Sequence, residues 1–254
     1  ERLLYGDNPM GWDIAGRKES VKQIKRQDFL DYINRLYFPK NMVVAVAGKI
    51  SSKQIIRLTR EYFGGLKKQG ERQTKTIKPT QNRPKIKLIT KKTEQAHFCL
   101  GVPGYKLADH NRWTLGVLSA ILGGGMSSRL FIEVRERRGL AYYIRTTPEF
   151  YTDSGYLLAQ AGVKLNKIDE ALKVILTELE KLKQKKVSAK ELKKTQEFLK
   201  GNMILALEDS QRVASRFAYQ FLLEGKLRTT AQAVRLIDKV TPEDIQRVAK
   251  NLFQ

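Results

Sequence analysis

An arginine and a tyrosine seven residues apart, Arg135 and Tyr142, are the residues of this chain whose types and spacing best suit binding chemistry. They lie in the segment LGGGMSSRLFIEVRERRGLAY, residues 122–142, which begins with three consecutive glycines. Glycine can adopt positive φ and can lie close to another group. A guanidinium and a phenol beside such a turn can hold a peptide or another anionic or carbonyl-rich ligand. The segment contains no nucleophile–base pair, so its residues indicate ligand binding and not catalysis.

A helix followed by a strand must position this pair. Apolar residues at 130, 131 and 134 recur at helical spacing, and Ser127 or Ser128 can cap the helix. The other arginines, Arg129, Arg137 and Arg138, spread over about two to three helical turns and cannot share one face. We therefore expect those three in surface or capping roles, with Arg135 reaching toward the strand that carries Tyr142.

Catalytic and metal-binding patterns are missing from the sequence. Its two histidines, His97 and His110, belong to no H-x-x-E-H pairing, and there is one cysteine, Cys99. A zinc site needs three or four such ligands at suitable spacing. There is also no G-x-S-x-G elbow and no phosphate-binding loop. We expect no catalytic residue and no metal ligand in this chain, and we expect Cys99, in an apolar run, to be a small buried residue.

The formal net charge of +22 suggests a second, unrelated function. A strongly basic chain can bind nucleic acid or acidic partners, and a non-enzymatic basic binding module is the alternative that composition leaves open. However, the lysines are dispersed along amphipathic helices, and no aromatic RNA-binding motif, zinc knuckle or helix-turn-helix accompanies them. This dispersion favours a solvated surface.

Hydrophobic patterning predicts an α+β fold with a mainly antiparallel sheet and helices packed on one face. No apolar run is long enough for a transmembrane helix, and Glu1 does not start a signal peptide. The predicted strands are 41–48, 85–90, 95–102, 140–151 and 155–163, and the predicted helix caps are Ser51 or Ser52, Ser188, Asp209 or Ser210, and Thr241.

Composition also predicts the division into units. Residues 67–84 are rich in Lys, Gln, Thr and Pro and poor in apolar side chains, which is typical of a linker. We therefore expect a first unit at 1–66, a linker at 67–84 and a second unit at 85–254. The two are expected to be of homologous type, with the first unit truncated.

Several blocks of sequence, in one order, carry a resemblance to a known family. Residues 122–142 resemble the LGGG-x-SSRLF…RE…GLAY segment found in the second domain of pitrilysin and mitochondrial-processing-peptidase proteins, which are zinc peptidases with an inverted H-x-x-E-H motif. The remaining similar blocks are Tyr5-Gly6-x-x-Pro9-Met10-Gly11, Gly16-x-x-Glu19-Ser20, Tyr37-x-Pro39-x-Asn41-Met42, Ala47-Gly48, Gln95-Ala96-His97, Asp153-Ser154-Gly155 and the capping box at Ser188.

The resemblance implies a clam-shell of two α+β domains around a peptide-binding chamber. In such proteins the first domain holds zinc, while an Arg and a Tyr seven residues apart in the second domain contact the substrate. The matching residues here are Arg135 and Tyr142. The resemblance thus implies a substrate-binding set of Arg135, Tyr142, Gly123, Gly124 and Gly125.

The zinc motif of that family is not in this sequence. We therefore interpret the chain as the end of a first domain and most of a second domain, inactive by itself. The intact protein is then a Zn²⁺ peptidase or an inactive homologue. Its expected partners are an unfolded peptide substrate, the zinc-bearing segment or an active partner subunit, and a second copy in a dimer. The compartment stays unknown.

Overall fold

The described part of the chain falls into two units. The computed structural model describes residues 1–66, 70, 76–77 and 83–254. Unit 1 comprises Glu1–Thr76 and Met203–Thr229, and unit 2 comprises Ile77–Asn202 and Thr230–Gln254. Most of the predicted linker, 67–84, lies outside the described residues, so the predicted division at that position stays a prediction.

Helices dominate both units, and the strands belong to unit 2. None of the described helices is long and apolar enough to cross a membrane. The α-helices are α1 Arg2–Tyr5, α2 Lys18–Gln23, α3 Arg26–Leu36, α4 Ser52–Phe63, α5 Asn111–Gly123, α6 Ile168–Gln184, α7 Ala189–Leu205, α8 Ser210–Glu224, α9 Thr230–Asp238 and α10 Pro242–Leu252. The strands are β1 Gln95–Pro103, β2 Ala141–Phe150 and β3 Gly155–Lys164. Short 3₁₀ helices span Pro9–Gly11, Pro39–Asn41, Leu165–Lys167 and Ala206–Glu208, and a π-helix spans Phe131–Glu136.

An antiparallel sheet of three strands, in the order β1-β3-β2, forms the frame of unit 2. One face carries buried Leu157, Ala159, Ala161 and Val163 of the central strand β3, whereas the alternate positions of β3 point to the other face. Helix α5 packs against β2, and α6 and α10 complete the helical layer. The α+β fold with helices on one face, predicted from the sequence, is confirmed.

The predicted caps of α4, α8 and α10 are observed, whereas Ser128, predicted with Ser127 as a cap of the helix before Arg135, donates a hydrogen bond from Oγ to the carbonyl of Gly125 instead. Ser51 Oγ accepts from Gln54 N, and Thr241 forms a reciprocal capping box with Asp244. Asp209 caps α8, which ends at Gly225 in the left-handed conformation (φ 66°).

Two predicted strands are wrong. Residues 41–48 and 85–90 form no strand, although both runs are rich in β-branched or other apolar residues. A strand requires a hydrogen-bonded neighbour, and no described segment pairs with either run. Their apolar side chains are correspondingly open to solvent, as in Ile86 (92% exposed) and Leu88 (87%).

In unit 1, apolar side chains of the helices are also exposed where no other element covers them. The sequence predicts that Ile56 and Phe63 of α4 point inward, but they are 50% and 40% exposed. Phe29 and Tyr32 of α3 are also exposed. An amphipathic face becomes buried only when another element packs on it, and unit 1 contains no strand among its described residues.

Candidate functional site

Three of the four arginines in residues 129–138 are paired with carboxylates. Arg129 donates two hydrogen bonds to Glu191, from Nε to Oε1 (2.8 Å) and from Nη2 to Oε2 (2.7 Å). Glu133 accepts from both Arg137 and Arg138, each at 2.6 Å. Hydrogen bonding to Glu191 raises the pKa of Arg129, so this cation stays charged. The exposed pairs of Arg137 and Arg138 agree with the surface roles predicted for them, whereas Arg129 is partly buried and joins this segment to α7, which the sequence did not predict.

Arg135 lacks such a partner within the described part of the chain and lies next to Tyr142. Its guanidinium carbon is 4.9 Å from the centroid of the Phe131 ring and 5.8 Å from that of Tyr142. Both distances fall in the range of cation–π contacts. Arg135 is exposed, and Tyr142 is 73% exposed. The structure therefore brings together the two residues singled out by sequence, with their polar groups open to a ligand.

A π-helix delivers Arg135 to this position. Phe131–Glu136 adopts the wider π turn, in which Arg137 N donates to Ile132 O at 2.9 Å. Val134, fully buried, fixes the inner side of this turn. Gly139 then takes φ +59°, which a β-carbon would disfavour, and the chain turns into β2. Single π turns are rare and are often found at functional sites.

A β-bulge in β2 sets the direction of the Tyr142 side chain. Ala141 pairs with Val163 and Tyr143 pairs with Gly162, so Tyr142 is the extra residue in β2. Ala141 and Ile144 are buried against the helices. Without the extra residue, neighbouring tyrosines would point to opposite faces; the bulge turns both Tyr142 and Tyr143 to the face on which no described helix packs. We call this surface of the sheet the open face.

The open face carries two rows of side chains that the sequence reasoning missed. In the first row, the rings of His97 and Tyr143 stack across Gly162, with centroids 5.9 Å apart and His97 Nδ1 3.2 Å from the Tyr143 hydroxyl. In the second row, Arg145 Nε donates to Gln160 Oε1 at 2.9 Å, and Gln160 Nε2 lies 3.8 Å from Cys99 Sγ. The second row could have been predicted from the sequence, because residues two apart in a strand, such as Tyr143 and Arg145, point to the same face.

The prediction that Cys99 is buried is wrong. The thiol is exposed, because position 99 of β1 points to the open face and not toward the helices. Its apolar neighbours Phe98 and Leu100 point the other way.

The glycine triplet has a packing role in the structure. A β-carbon at Gly123 would lie 2.5 Å from the backbone nitrogen of Thr146, and one at Gly124 would lie 2.6 Å from Ala120 Cα. None of the three glycines has positive φ, contrary to the freedom anticipated from sequence. Gly125 lines a cavity of about 250 Å³ between the triplet and α7. Contact of Gly123, Gly124 or Gly125 with a substrate stays a prediction.

Buried hydrogen bonds fix the contact between α5 and β2 at Gly123. Thr146 Oγ1 donates to the carbonyl of Ser119 at 2.6 Å, and Ser119 Oγ donates to Thr146 Oγ1 at 3.1 Å. Both side chains are buried, so each hydroxyl needs these partners. The close approach at Gly123 therefore sets the position of the strand that carries Tyr142 and Arg145.

The residues described here do not fit a zinc site. Across residues 1–66, 70, 76–77 and 83–254, no three His, Cys, Asp or Glu side chains are grouped so that they could hold a metal ion. His97 is engaged by Tyr143, and His110 Nδ1 lies 3.6 Å from Asp109.

Six of the lysines that contribute to the high net charge are paired with glutamates in the described residues. Lys181 contacts Glu178 at 2.6 Å, and Lys183 contacts Glu180 at 2.8 Å, both along α6. Such pairs are typical of a solvated helix surface. They give no specific support to a basic nucleic-acid-binding module.

The Glu133 pairs give a pH prediction. The hydrogen bond from Arg138, assisted by the charge of Arg137, lowers the pKa of Glu133 from its ordinary 4.5. A carboxylate with a lowered folded-state pKa stabilises the fold above its unfolded pKa and loses that contribution as pH falls through the folded value. We expect Glu133→Gln to lower the free energy of unfolding by about 0.5 kcal/mol at neutral pH and to leave it unchanged well below pH 4.5. Urea titrations at several pH values measure this difference. An equal cost at every pH would contradict this.

Comparison with protein families finds one match, which covers most of the chain. Residues 23–199 match the family described as the peptidase M16 inactive domain. An uncharacterized zinc protease of Mycobacterium tuberculosis is 34% identical over 253 residues, which cover 98% of this chain and 58% of the relative. An uncharacterized zinc protease of Bacillus subtilis is 34% identical over 252 residues, covering 99% and 61%.

A solved structure agrees with these sequence matches. The crystal structure of a protease from Helicobacter pylori superposes with a TM-score of 0.88 at 26% identity and covers 97% of this chain and 60% of that one. The chain therefore spans about three fifths of the length of the relatives it matches.

Proposed function

This chain belongs to the peptidase M16 family, and from that premise we propose that it is the substrate-positioning portion of a zinc endopeptidase or of its inactive partner subunit. An inactive domain of this family implies a catalytic domain, in the same chain or in a partner chain. The relatives are named zinc proteases, so Zn²⁺ belongs to that catalytic domain in an active parent. The role of the present chain is to hold the peptide while it is cleaved.

The availability of Arg135 carries this proposal. Three neighbouring arginines are ion-paired with Glu191 or Glu133, and Arg135 alone among the four has no carboxylate partner in the described residues. Its position over the Tyr142 ring restricts the rotamers of the guanidinium without using its N–H donors. A positioned cation with free donors is what recognition of a peptide carbonyl requires.

The chemistry follows from the donors of the two side chains. Arg135 can donate two N–H groups, and the Tyr142 hydroxyl can donate one proton, to the carbonyl oxygen of a bound peptide. During hydrolysis that oxygen gains negative charge, so both hydrogen bonds strengthen as the transition state forms. The pair therefore lowers the barrier while the catalytic domain supplies the attacking water.

Substitution of the pair in the full-length protein that carries this chain tests the proposal. Removing one donor of an oxyanion site costs about 10²-fold in kcat, so we expect Arg135→Ala to lower kcat/KM for a peptide by about that factor. We expect Tyr142→Phe, which removes one neutral hydrogen bond, to lower it by about tenfold. Kinetics with a fluorogenic peptide, alongside zinc analysis of each variant, measure both effects.

Arg137→Ala is the matched control. Arg137 comes from the same turn of the chain and is exposed, but its guanidinium is already bound to Glu133. We expect this variant to keep kcat/KM within about twofold, since exposed ion pairs contribute little. Equal losses in the Arg135 and Arg137 variants would mean that net charge, not position, matters. Unchanged kinetics in both Arg135→Ala and Tyr142→Phe would remove the assigned role.

A further inference from the structure

We propose that Arg145 forms a second subsite on the open face, which binds the carboxylate of an Asp or Glu side chain in the extended peptide. This inference rests on the proposed function, because it assumes that a peptide already lies near Arg135 and Tyr142. It adds a preference for an acidic residue at a fixed distance from the carbonyl that the first pair holds.

One hydrogen bond of Arg145 holds its guanidinium in place and leaves the Nη end available. Nε donates to Gln160 Oε1 at 2.9 Å, and Gln160 is itself positioned by the contact between its amide nitrogen and Cys99 Sγ. Within the part of the chain that the structure describes, the two Nη groups form no hydrogen bond or ion pair, and Arg145 is exposed. Two parallel Nη–H donors match the two oxygens of a carboxylate, which is the bidentate geometry that arginine favours.

Charge on the open face selects an acidic ligand over a neutral one. The rows nearest Arg145 are His97–Gly162–Tyr143, Cys99–Gln160–Arg145 and Gly101–Leu158–Thr147, and the next row, Pro103–Tyr156–Glu149, places Glu149 on the same face. Arg145 is the one Lys, Arg, Asp or Glu side chain in the three nearest rows, and Glu149 lies four residues farther along β2, about 14 Å away in an extended strand, so no carboxylate of the adjacent rows competes for Arg145. A cation whose field is not compensated by neighbouring groups attracts a negatively charged side chain.

Strand geometry sets the spacing of the two subsites. The bulge places Tyr142 beside Tyr143 on the open face, and Arg145 lies two residues beyond Tyr143, which adds about 6.8 Å in an antiparallel strand. An extended peptide has the same repeat for residues that point to one side. A peptide that runs along β2 and has one carbonyl at Arg135 and Tyr142 therefore presents a side chain about two or three residues farther along to Arg145.

A pair of peptides that differ in one group tests the subsite. The probes are fluorescein-labelled extended nonapeptides, each with a single Asp. The position of the Asp differs from one peptide of the series to the next. Each peptide has a counterpart in which Asn, a side chain of the same shape, replaces the Asp. Fluorescence anisotropy with the 254-residue chain gives the Kd of each. We expect one register in which the Asp peptide binds about tenfold more tightly than its Asn counterpart at low salt.

Charge-matched variants assign that preference to one arginine. Arg145→Gln is expected to bring the Asp-to-Asn ratio close to one. Arg235→Gln makes the same charge change at an exposed residue of α9, in the helical layer, and is expected to keep the ratio. Arg145→Lys, which keeps the charge but loses the fork, is expected to retain part of the preference. Circular dichroism verifies that each variant is folded.

The exposed thiol of Cys99 offers a second readout, because it is the single cysteine of the chain and lies in the same row as Arg145. A bound Asp peptide should slow its alkylation by iodoacetamide several-fold, and Arg145→Gln should remove that protection. No protection by any Asp peptide at millimolar concentration would overturn the subsite. An oligothymidylate that protects Cys99 equally well near 0.15 M salt would also overturn it, in favour of a polyanion surface.

The two proposals fail in different ways. If Arg135→Ala and Tyr142→Phe weaken the Asp and Asn peptides equally and Arg145→Gln keeps the Asp preference, the subsite is wrong and the proposed function stands. If Arg135→Ala and Tyr142→Phe change no affinity or turnover while Arg145→Gln abolishes the Asp preference, the proposed function is wrong. The carboxylate site then stands as a separate peptide contact.

Discussion

Gly123→Ala is expected to destabilise unit 2 by about 3 kcal/mol, the upper end of the cost of overpacking a well-packed core. The new methyl group would lie 2.5 Å from the backbone nitrogen of Thr146 and 2.9 Å from the carbonyl carbon of Arg145. Backbone atoms of a paired strand cannot rotate away as a flexible side chain can. Helix α5 and strand β2 must therefore separate, which also breaks the buried hydrogen bonds between Ser119 and Thr146.

The same substitution at Gly116 is the control for helix propensity. Gly116 is an interior residue of α5, and a β-carbon there would meet no atom within 4 Å. Alanine should therefore stabilise α5 by about 0.5–1 kcal/mol, the ordinary gain over glycine inside a helix. Urea denaturation of both variants measures the difference. A small or favourable effect of Gly123→Ala would contradict the tight helix–strand contact.

Displacement of β2 would also change the positions of Tyr142 and Arg145 in the candidate site, because both residues lie on that strand. We expect the Gly123→Ala chain, where it remains folded, to lose the Asp preference assigned to Arg145. Gly116→Ala should keep it. This result would explain a requirement for glycine at position 123 without any contact between that residue and the substrate.

Arg129→Ala is expected to lower the free energy of unfolding by about 2 kcal/mol, which is the second large effect on stability. Arg129 and Glu191 form a bidentate pair between the start of the π-helix segment and α7, and their side chains are only 20% and 24% exposed. Removal of one partner leaves the other charge partly buried and unpaired, and this costs about 3–5 kcal/mol in fully buried pairs and less here. Arg129→Lys should recover only part of the loss, because lysine cannot form the fork.

A double-mutant cycle distinguishes the pair from its surroundings. If the coupling is direct, adding Glu191→Ala to Arg129→Ala should cost much less than the sum of the two single changes. Lys193→Gln, in an exposed pair of the same helix, is expected to change stability little. Strict additivity of the Arg129 and Glu191 changes would show that the pair contributes nothing beyond its separate side chains.

Local signals gave reliable predictions in this chain. The caps at Ser51, Asp209 and Thr241 were predicted from two to four neighbouring residues, and each forms its hydrogen bond within that span. The strands predicted at 95–102, 140–151 and 155–163 are observed to within one residue at each end. Their periodicity is strong, and the strands find partners within unit 2.

Predictions that needed a distant partner were less reliable. Residues 41–48 and 85–90 have strand-forming composition but no pairing segment in the described residues, so they remain irregular. Cys99 lies in an apolar run, yet its side chain faces the open side of the sheet. Composition records how apolar a segment is, but not which of its faces another element covers.

By itself, the sequence determined the family of this chain and the pairing of Arg135 with Tyr142, because seven residues across one helix-to-strand turn leave little freedom in where the two side chains lie. Only the tertiary structure decided which arginines are available, since Glu191 neutralises Arg129 from 62 positions away. The bulge that turns Tyr142 to the open face, the packing of Gly123 on β2 and the exposure of Arg145 likewise depend on strand and helix pairing. Contacts of that kind join residues far apart in the chain, and local spacing does not specify them.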